Sequence, residues 1–252
     1  MTGLSRFAFG ARAPRRPLVY GHRGTRRGPT ENTLAAMRLA LAQGADGVEL
    51  DVRLCAGGEV IVLHDPDLRR VAGAALRAAD ASLDELRAVD LGAGERVPLL
   101  DAAIDLVIGA GALLNIELKS DVPDEDALVA KVVERVAARP AAMCEKILFS
   151  SFSLHICELL HAALPNMPTA LLFGRRQHEP PPWASVIHPG ESLVSARAID
   201  EWHAQGLLVN TWTVNDAKRA VELLKAGIDG IVTDDVPLVL AALAAAQARS
   251  TS

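Results

Sequence analysis

The amino-acid sequence predicts an α/β fold, a TIM-type (β/α)8 barrel, and three observations carry that reading. Short apolar or β-branched runs alternate with alanine- and leucine-rich helical stretches from Pro17 to about Ala245, the pattern of βα units around a parallel sheet. The chain has 252 residues, a length at which such a barrel forms one domain. Polar residues gather where the apolar runs end, in Gly21-His22-Arg23-Gly24, Val48-Glu49-Leu50-Asp51, Leu63-His64-Asp65 and Asn115-Ile116-Glu117-Leu118-Lys119. In a barrel those C-terminal strand ends form one reactive face.

The expected strands are residues 18–21, 47–52, 60–64, 113–118, 146–150, 169–173, 184–187, 207–212 and 230–233, nine runs for eight barrel positions. The helix expected over 33–43 has capping residues in Glu31-Asn32-Thr33, one apolar face in Leu34, Met37 and Leu41, and a stop at Gly44. The segment 216–226, closed by Gly227, repeats that pattern. Residues 1–16 read as a loose basic leader, 17–246 as a single catalytic barrel, 247–252 as a tail, and 177–182 as a polar, proline-rich loop.

One connection breaks the βα rhythm. Between Val52 and Val60 there is room for a turn through Ala56-Gly57-Gly58 but not for a crossover helix, since parallel neighbours need a dozen or more connecting residues. The second and third strands are therefore expected to form an antiparallel hairpin that sets Glu49 roughly opposite His64. A one-residue slip would turn the side chains to the other face.

Composition narrows the function. A formal net charge of -5 and a pI near 5.8 give no long-range attraction to nucleic acid or an anionic membrane. The three cysteines, Cys55, Cys144 and Cys157, lack metal-ligand spacing and fit a reducing compartment. With neither a signal-peptide core nor a membrane-length apolar run, the expectation is a cytoplasmic protein without stable membrane association. Dinucleotide and P-loop motifs are absent.

Glu49 and Asp51 are two apart on one strand and share a side, as do Glu117 and Lys119 on another. A single such pair would read as a salt bridge, Glu117 to Lys119 or Asp51 to Arg53. Three aligned carboxylates on two strands favour one hard divalent cation, Mg2+ or Ca2+. A lone strand-end histidine is usually satisfied by a backbone carbonyl, but His22 and His64 each end an apolar strand beside Arg23 or Asp65, as a general base and general acid would. Arg23 offers a fork of donors to phosphate and Lys119 a compact charge. Trp212 reads as a wall for the substrate's carbon skeleton. His155, His161, His178, His188 and His203 read as structural, and Ser150-Ser151-Phe152 lacks a nucleophile elbow.

The segments GHRG...PTENT, GVELDV, VIVLHD, NIELK, SSF, WTVND and GIDGIVTDD, spread from Tyr20 to Pro237, resemble the ordered motifs of the glycerophosphodiester phosphodiesterases. The resemblance implies a barrel enzyme that hydrolyses glycerophosphodiesters to glycerol 3-phosphate and an alcohol with a divalent cation. It implies His22 and His64 as the catalytic pair, Glu49, Asp51 and Glu117 as metal ligands, and Arg23 and Lys119 as phosphate contacts. It further implies attack on phosphorus by the substrate's neighbouring hydroxyl, then opening of a cyclic phosphate by water. Two departures stand out. Cys55-Ala56-Gly57-Gly58 replaces the usual T-K-D-G turn, and the chain from His64 to the NIELK strand is too short for an inserted subdomain, as in the compact cytoplasmic type. The competing readings are a lysophospholipase D-like or cyclising enzyme, disfavoured by an aromatic content of 4%, and an inactive barrel that binds a phosphorylated metabolite, opposed by the intact histidines and carboxylates.

Overall fold

The computed structural model describes residues 6–7, 15–174 and 179–250. Alternation along each strand sends one set of side chains to the helices and the other to the barrel lumen. Val48, Leu50 and Val52 and, on the neighbouring strand, Leu114, Ile116 and Leu118 are buried in the main core with the helices. Full burial of each such side chain contributes about 1.5–3 kcal/mol. The intervening residues line the lumen and grade from apolar to polar along the strand: Leu18, Tyr20, His22; Gly47, Glu49, Asp51; Leu113, Asn115, Glu117.

The strands are β1 (Leu18–His22), β2 (Gly47–Leu54), β3 (Val60–Val62), β4 (Leu113–Leu118), β5 (Ile147–Ser151), β6 (Thr169–Phe173), β7 (Val186–Pro189), β8 (Leu208–Thr211) and β9 (Gly230–Thr233). Their order is β1-β9-β8-β7-β6-β5-β4-β2, and parallel pairing of β1 with β2 closes the ring of eight. The ninth run, β3, lies outside the ring as an antiparallel partner of β2. Gly47 is required where it stands, because a Cβ there would come within 2.7 Å of the Tyr20 ring.

The expected helices form as Leu34–Ala42, capped by the Thr33 hydroxyl, and Ala217–Lys225, capped by the Asp216 carboxylate. Residues 63–99 carry a second, small core of Leu63, Leu68, Leu86, Leu91 and Val97, which packs on Ile61 of β3. Beneath the lumen, Phe7 is fully buried with Leu18, Tyr20, Leu148 and Val232, so this part of the expected loose leader is packed into the barrel floor. Residues 1–5 and 8–14 of that leader lie outside the described residues, as do Gln177 and His178 of the expected loop. The final helix, Val236–Ser250, runs four residues into the expected tail.

Most strand boundaries shift by one or two residues from expectation, and two strands show why. β7 starts later and extends through His188 and Pro189, because Leu172 and Phe173 of β6 still offer it a ladder. β3 ends at Val62; the Leu63 N–H still reaches the Asp51 carbonyl in register, and beyond it the chain turns away. The hairpin register pairs Val52 with Val62. Continued by two residues, it sets Leu50, not Glu49, across from His64, the one-residue slip to which such a hairpin is open.

Candidate active site

The first polar turn is built by glycine. Gly24 has φ +89° and a Cβ there would meet the backbone of Ala36 at 2.6 Å, while Arg23 itself is held at φ +53°. This turn leaves His22 at the end of β1 and aims the Arg23 N–H at Glu49 Oε2, 3.0 Å away. The Arg23 guanidinium donates to Glu31 Oε1 at 2.7 Å, and its Nε lies 3.3 Å from Asp51 Oδ2.

Glu49, Asp51 and Glu117 converge: one ligand oxygen from each lies within 4.8 Å of the others, and all three residues are buried. Lys119 Nζ donates to Glu117 at 2.6 Å and Asp51 at 3.3 Å. The salt bridge between Lys119 and Glu117 therefore exists, but inside the carboxylate cluster. Arg53 does not pair with Asp51; it turns to Asp121 and the His64 carbonyl.

The cluster is short of positive charge. Burial and the charges of Asp51 and Glu117 push the Glu49 carboxyl well above the usual range. Burial, then Asp51, pushes Glu117 up to about 7 despite Lys119. At Asp51 burial acts upward too, but Lys119, Arg23 and His64 outweigh it and hold the carboxyl low. Glu49 Oε1 is buried and has no hydrogen-bond partner among the described residues. Three hard oxygen donors, one of them unpartnered, fit a divalent cation of the Mg2+ or Ca2+ kind.

The two histidines are held alike. His22 Nδ1 lies 2.7 Å from Asp234 Oδ1, and His64 Nδ1 lies 2.6 Å from Asp65 Oδ1. An ionised carboxylate only accepts, so each imidazole carries its hydrogen on Nδ1 and keeps Nε2 for other work. Burial is the largest influence on His64 and, with Lys119 and Arg23, lowers its pKa against the pull of Asp51 and Asp65. Asn215 donates to Asp234 Oδ2 at 2.7 Å and accepts from the Asp234 N–H at 2.9 Å.

A cavity of about 20 Å³ beneath the cluster, lined by His22, Glu49, Asn115, Glu117, Leu172, His188, Trp212 and Val232, has room for one water. Trp212 lies at the end of β8, its indole N–H donating to the His188 carbonyl and its ring edge-to-face with Phe152 at 5.4 Å. Phe152 is 44% exposed. A larger cavity of about 450 Å³ opens at the opposite barrel end among Arg6, Asp46, Leu113 and Lys146 and contains none of these strand-end residues.

The structure thus brings His22, Arg23, Glu49, Asp51, Glu117 and Lys119 together, adds His64 at Asp51, and sets Trp212 on the cavity wall. Sequence reasoning did not place five residues that the structure sets at the site. Asp234 stands in VTDD and Asn215 in WTVND, both quoted motifs. Glu31 and Asn32 are not the caps expected of them; only Thr33 caps, while Asn32 donates to Asp51 Oδ2 at 2.8 Å. His188 is a lumen residue on the cavity, which burial holds neutral with a pKa of about 3. Of the other histidines, His155 and His203 pair with Asp126 and Asp229 and His161 stacks on Trp183, away from the site.

Comparison with known proteins identifies the family and the fold. The model of the Glycerophosphoryl diester phosphodiesterase family matches residues 22–238. A glycerophosphodiester phosphodiesterase of Caldanaerobacter subterraneus subsp. tengcongensis is 31% identical over 232 residues, covering 86% of this chain and 94% of that protein. The structure of an Oleispira antarctica phosphodiesterase in complex with the product sn-glycerol-3-phosphate superposes with a TM-score of 0.82 at 27% identity, over 91% of this chain and 97% of that one. The glycerophosphodiester phosphodiesterase of Thermotoga maritima gives 0.74 at 27% identity, over 89% and 97%.

Proposed function

The chain belongs to the glycerophosphoryl diester phosphodiesterase family and hydrolyses glycerophosphodiesters, and we propose that His22 and His64 perform the proton transfers beside a cation held by Glu49, Asp51 and Glu117. The observation that carries this reading is the meeting, at one barrel end, of two imidazoles each held at Nδ1 by an aspartate with three buried carboxylates. In a route through a cyclic phosphate, each imidazole acts once as base and once as acid, and the Nδ1 contact leaves Nε2 free for both. Burial, with Lys119 and Arg23, favours the neutral form of His64, the form that takes a proton. Arg23 and Lys119 bind and orient the phosphoryl group: Lys119 commits two of its three N–H groups to the carboxylates. A divalent cation in this cluster supplies Lewis-acid polarisation of the phosphoryl oxygens. Trp212 and Phe152 form the apolar wall for the glycerol carbons.

The substrate is a small soluble diester, with glycerol 3-phosphate as one product, in line with the product bound to the Oleispira relative. No helix among the described residues is long and apolar enough to cross a membrane. Cys55, Cys144 and Cys157 are free thiols, which accords with a cytoplasmic location.

The test is release of glycerol 3-phosphate from glycerophosphocholine, glycerophosphoethanolamine and glycerophosphoinositol, and of choline from lysophosphatidylcholine, with Mg2+ or Ca2+ added. Wild-type protein turns over at least one of the first three, and His22→Ala and His64→Ala abolish the activity while remaining folded. Near-normal turnover by either variant refutes the assignment of the pair; turnover of lysophosphatidylcholine alone refutes the substrate class.

A further inference from the structure

The two halves of the site are joined by a residue outside the strand ends. Arg70 sits in the short helix Arg69–Ala72, within the small module of residues 63–99 that has its own core. Its guanidinium uses all three nitrogens: Nε donates to Asp65 Oδ2 at 2.6 Å, and NH1 and NH2 donate to the two oxygens of Glu31 at 2.8 and 2.6 Å. Asp65 is the carboxylate that holds His64, and Glu31 the one that holds Arg23. An unbroken chain of charge-assisted hydrogen bonds therefore runs Arg23, Glu31, Arg70, Asp65, His64. The module is tied to the same segment twice more, to the loop by Thr30 on the Leu91 carbonyl and to the first turn of the helix Leu34–Ala42 by the Ala35 N–H on Glu95, so the position of Arg70 over Glu31 is fixed from both sides.

We propose that Arg70 is a positioning residue which, through Glu31 and Asp65, sets Arg23 for the phosphoryl group and His64 for proton transfer. This rests on the functional reading above and adds a residue to it. A guanidinium suits the task because its planar fork satisfies two carboxylates at fixed angles, whereas an ammonium is a point charge without that geometry. Sharing matters on both sides. Without Arg70, Glu31 keeps Arg23 at 2.7 Å and only the 4.0 Å contact of Arg26 besides, and draws the Arg23 guanidinium from the phosphate; Asp65 loses its second anchor and the imbalance passes to the imidazole.

The test is steady-state kinetics of glycerophosphodiester hydrolysis by wild type, Arg70→Ala, Arg70→Lys and Asp65→Asn. Arg70→Ala lowers kcat/KM by about 10–100-fold, the range for outer-shell partners of a catalytic site, with KM raised through Glu31 and kcat lowered through Asp65. Arg70→Lys recovers at most one of the two effects, and millimolar methylguanidinium restores part of both to Arg70→Ala. On kcat, Arg70→Ala and Asp65→Asn combine less than multiplicatively, as residues of one network do. Arg69→Ala, whose side chain is 70% exposed and pairs with Asp67, leaves both constants unchanged. Should Arg70→Ala misfold, the Arg70→Lys split and the Asp65→Asn kinetics still decide. Wild-type activity with an Arg70→Ala enzyme unchanged in kcat and KM overturns this proposal alone, as does a loss that methylguanidinium cannot touch. A wild type that releases no glycerol 3-phosphate overturns the functional reading together with it.

Discussion

Replacing Asp234 by asparagine removes one charge and changes no shape, and the surrounding hydrogen bonds dictate which way the new amide must face. Asn215 is pinned because its Oδ1 accepts from the Asp234 backbone N–H at 2.9 Å and the Thr233 hydroxyl at 3.1 Å. Its Nδ2 must then donate to the side chain at position 234, as it does to the native carboxylate at 2.7 Å. In Asp234→Asn the amide oxygen is therefore claimed by Asn215, and the NH2 group is left facing His22 Nδ1. That nitrogen must become an acceptor, so the hydrogen moves to Nε2, the atom that in the proposed mechanism accepts a proton from substrate or water.

The cost has two parts: loss of a charge-assisted bond, about 1.5–3 kcal/mol, and either a mismatched pair of buried donors or the tautomer that avoids it, about 1–3 kcal/mol. At 1.36 kcal/mol per decade these together lower kcat by about 10² to 10⁴, the scale of the equivalent change in serine proteases, about 10⁴. Combining Asp234→Asn with Asn215→Asp should reverse part of this. The carboxylate introduced at position 215 would accept from the backbone N–H and from the NH2 of the amide introduced at position 234, which turns that amide's oxygen back to His22 Nδ1–H. Kinetics of glycerol 3-phosphate release, with nitrogen-15 NMR of the His22 ring to identify the tautomer, measures both steps. A single variant within about tenfold of wild type, or one whose His22 keeps its hydrogen on Nδ1, would refute the reasoning.

Glu31 predicts an acid-stability effect: burial acts to raise its pKa, but Arg70 and Arg23 bring it down to about 2 from 4.5. The stabilisation is about 3 kcal/mol, lowered to about 2 kcal/mol by solvent at the rim; it is complete above pH 4.5 and fades as pH falls through about 2. Urea unfolding of Glu31→Gln will therefore show a deficit at pH 7 that closes in acid, and a pH-independent deficit would contradict the assignment. For the cation, EDTA will remove activity and Mg2+ or Ca2+ restore it. Added cation at a hundredfold excess over Kd will stabilise the wild type by about 3 kcal/mol but leave Glu49→Gln unmoved in a thermal melt, and equal shifts in both would place the cation elsewhere.

What the sequence made legible follows from how local each signal is. The lumen carboxylates could be read because period-two alternation is a property of the strand itself: Glu49 with Asp51, and Glu117 beside Asn115, keep their side whatever the rest of the chain does. The hairpin was legible from chain length alone, but its register was not, since Val52 meets Val62 through a turn whose glycines allow either pairing. Asp234 and Asn215 were invisible as partners of His22 because the link is made by closure of the barrel, which brings β9 beside β1 across more than 200 residues. Phe7 falls within the expected loose leader because no periodic pattern surrounds it; its burial depends on an open lumen floor that exists only once eight strands have closed.

The same closure explains why the two histidines need different supports. His22 ends a ring strand with neighbours on both sides, so β9 can deliver Asp234 directly and Asn215 completes the hold from the loop after β8. His64 follows β3, a strand with one ladder, to β2, and only a single bridge, Ile61 to Leu99, on its other side. A side chain there has no second strand to fix it, and substitutes do so: Arg53 grips the His64 carbonyl with two nitrogens at 2.8 and 2.5 Å, and Asp65 takes Nδ1. Asp65 is itself exposed enough to drift, and Arg70 ties it to Glu31. A barrel that places one imidazole of its site beyond its ring thus replaces the missing strand with arginines, and the module of residues 63–99 is the scaffold that carries one of them.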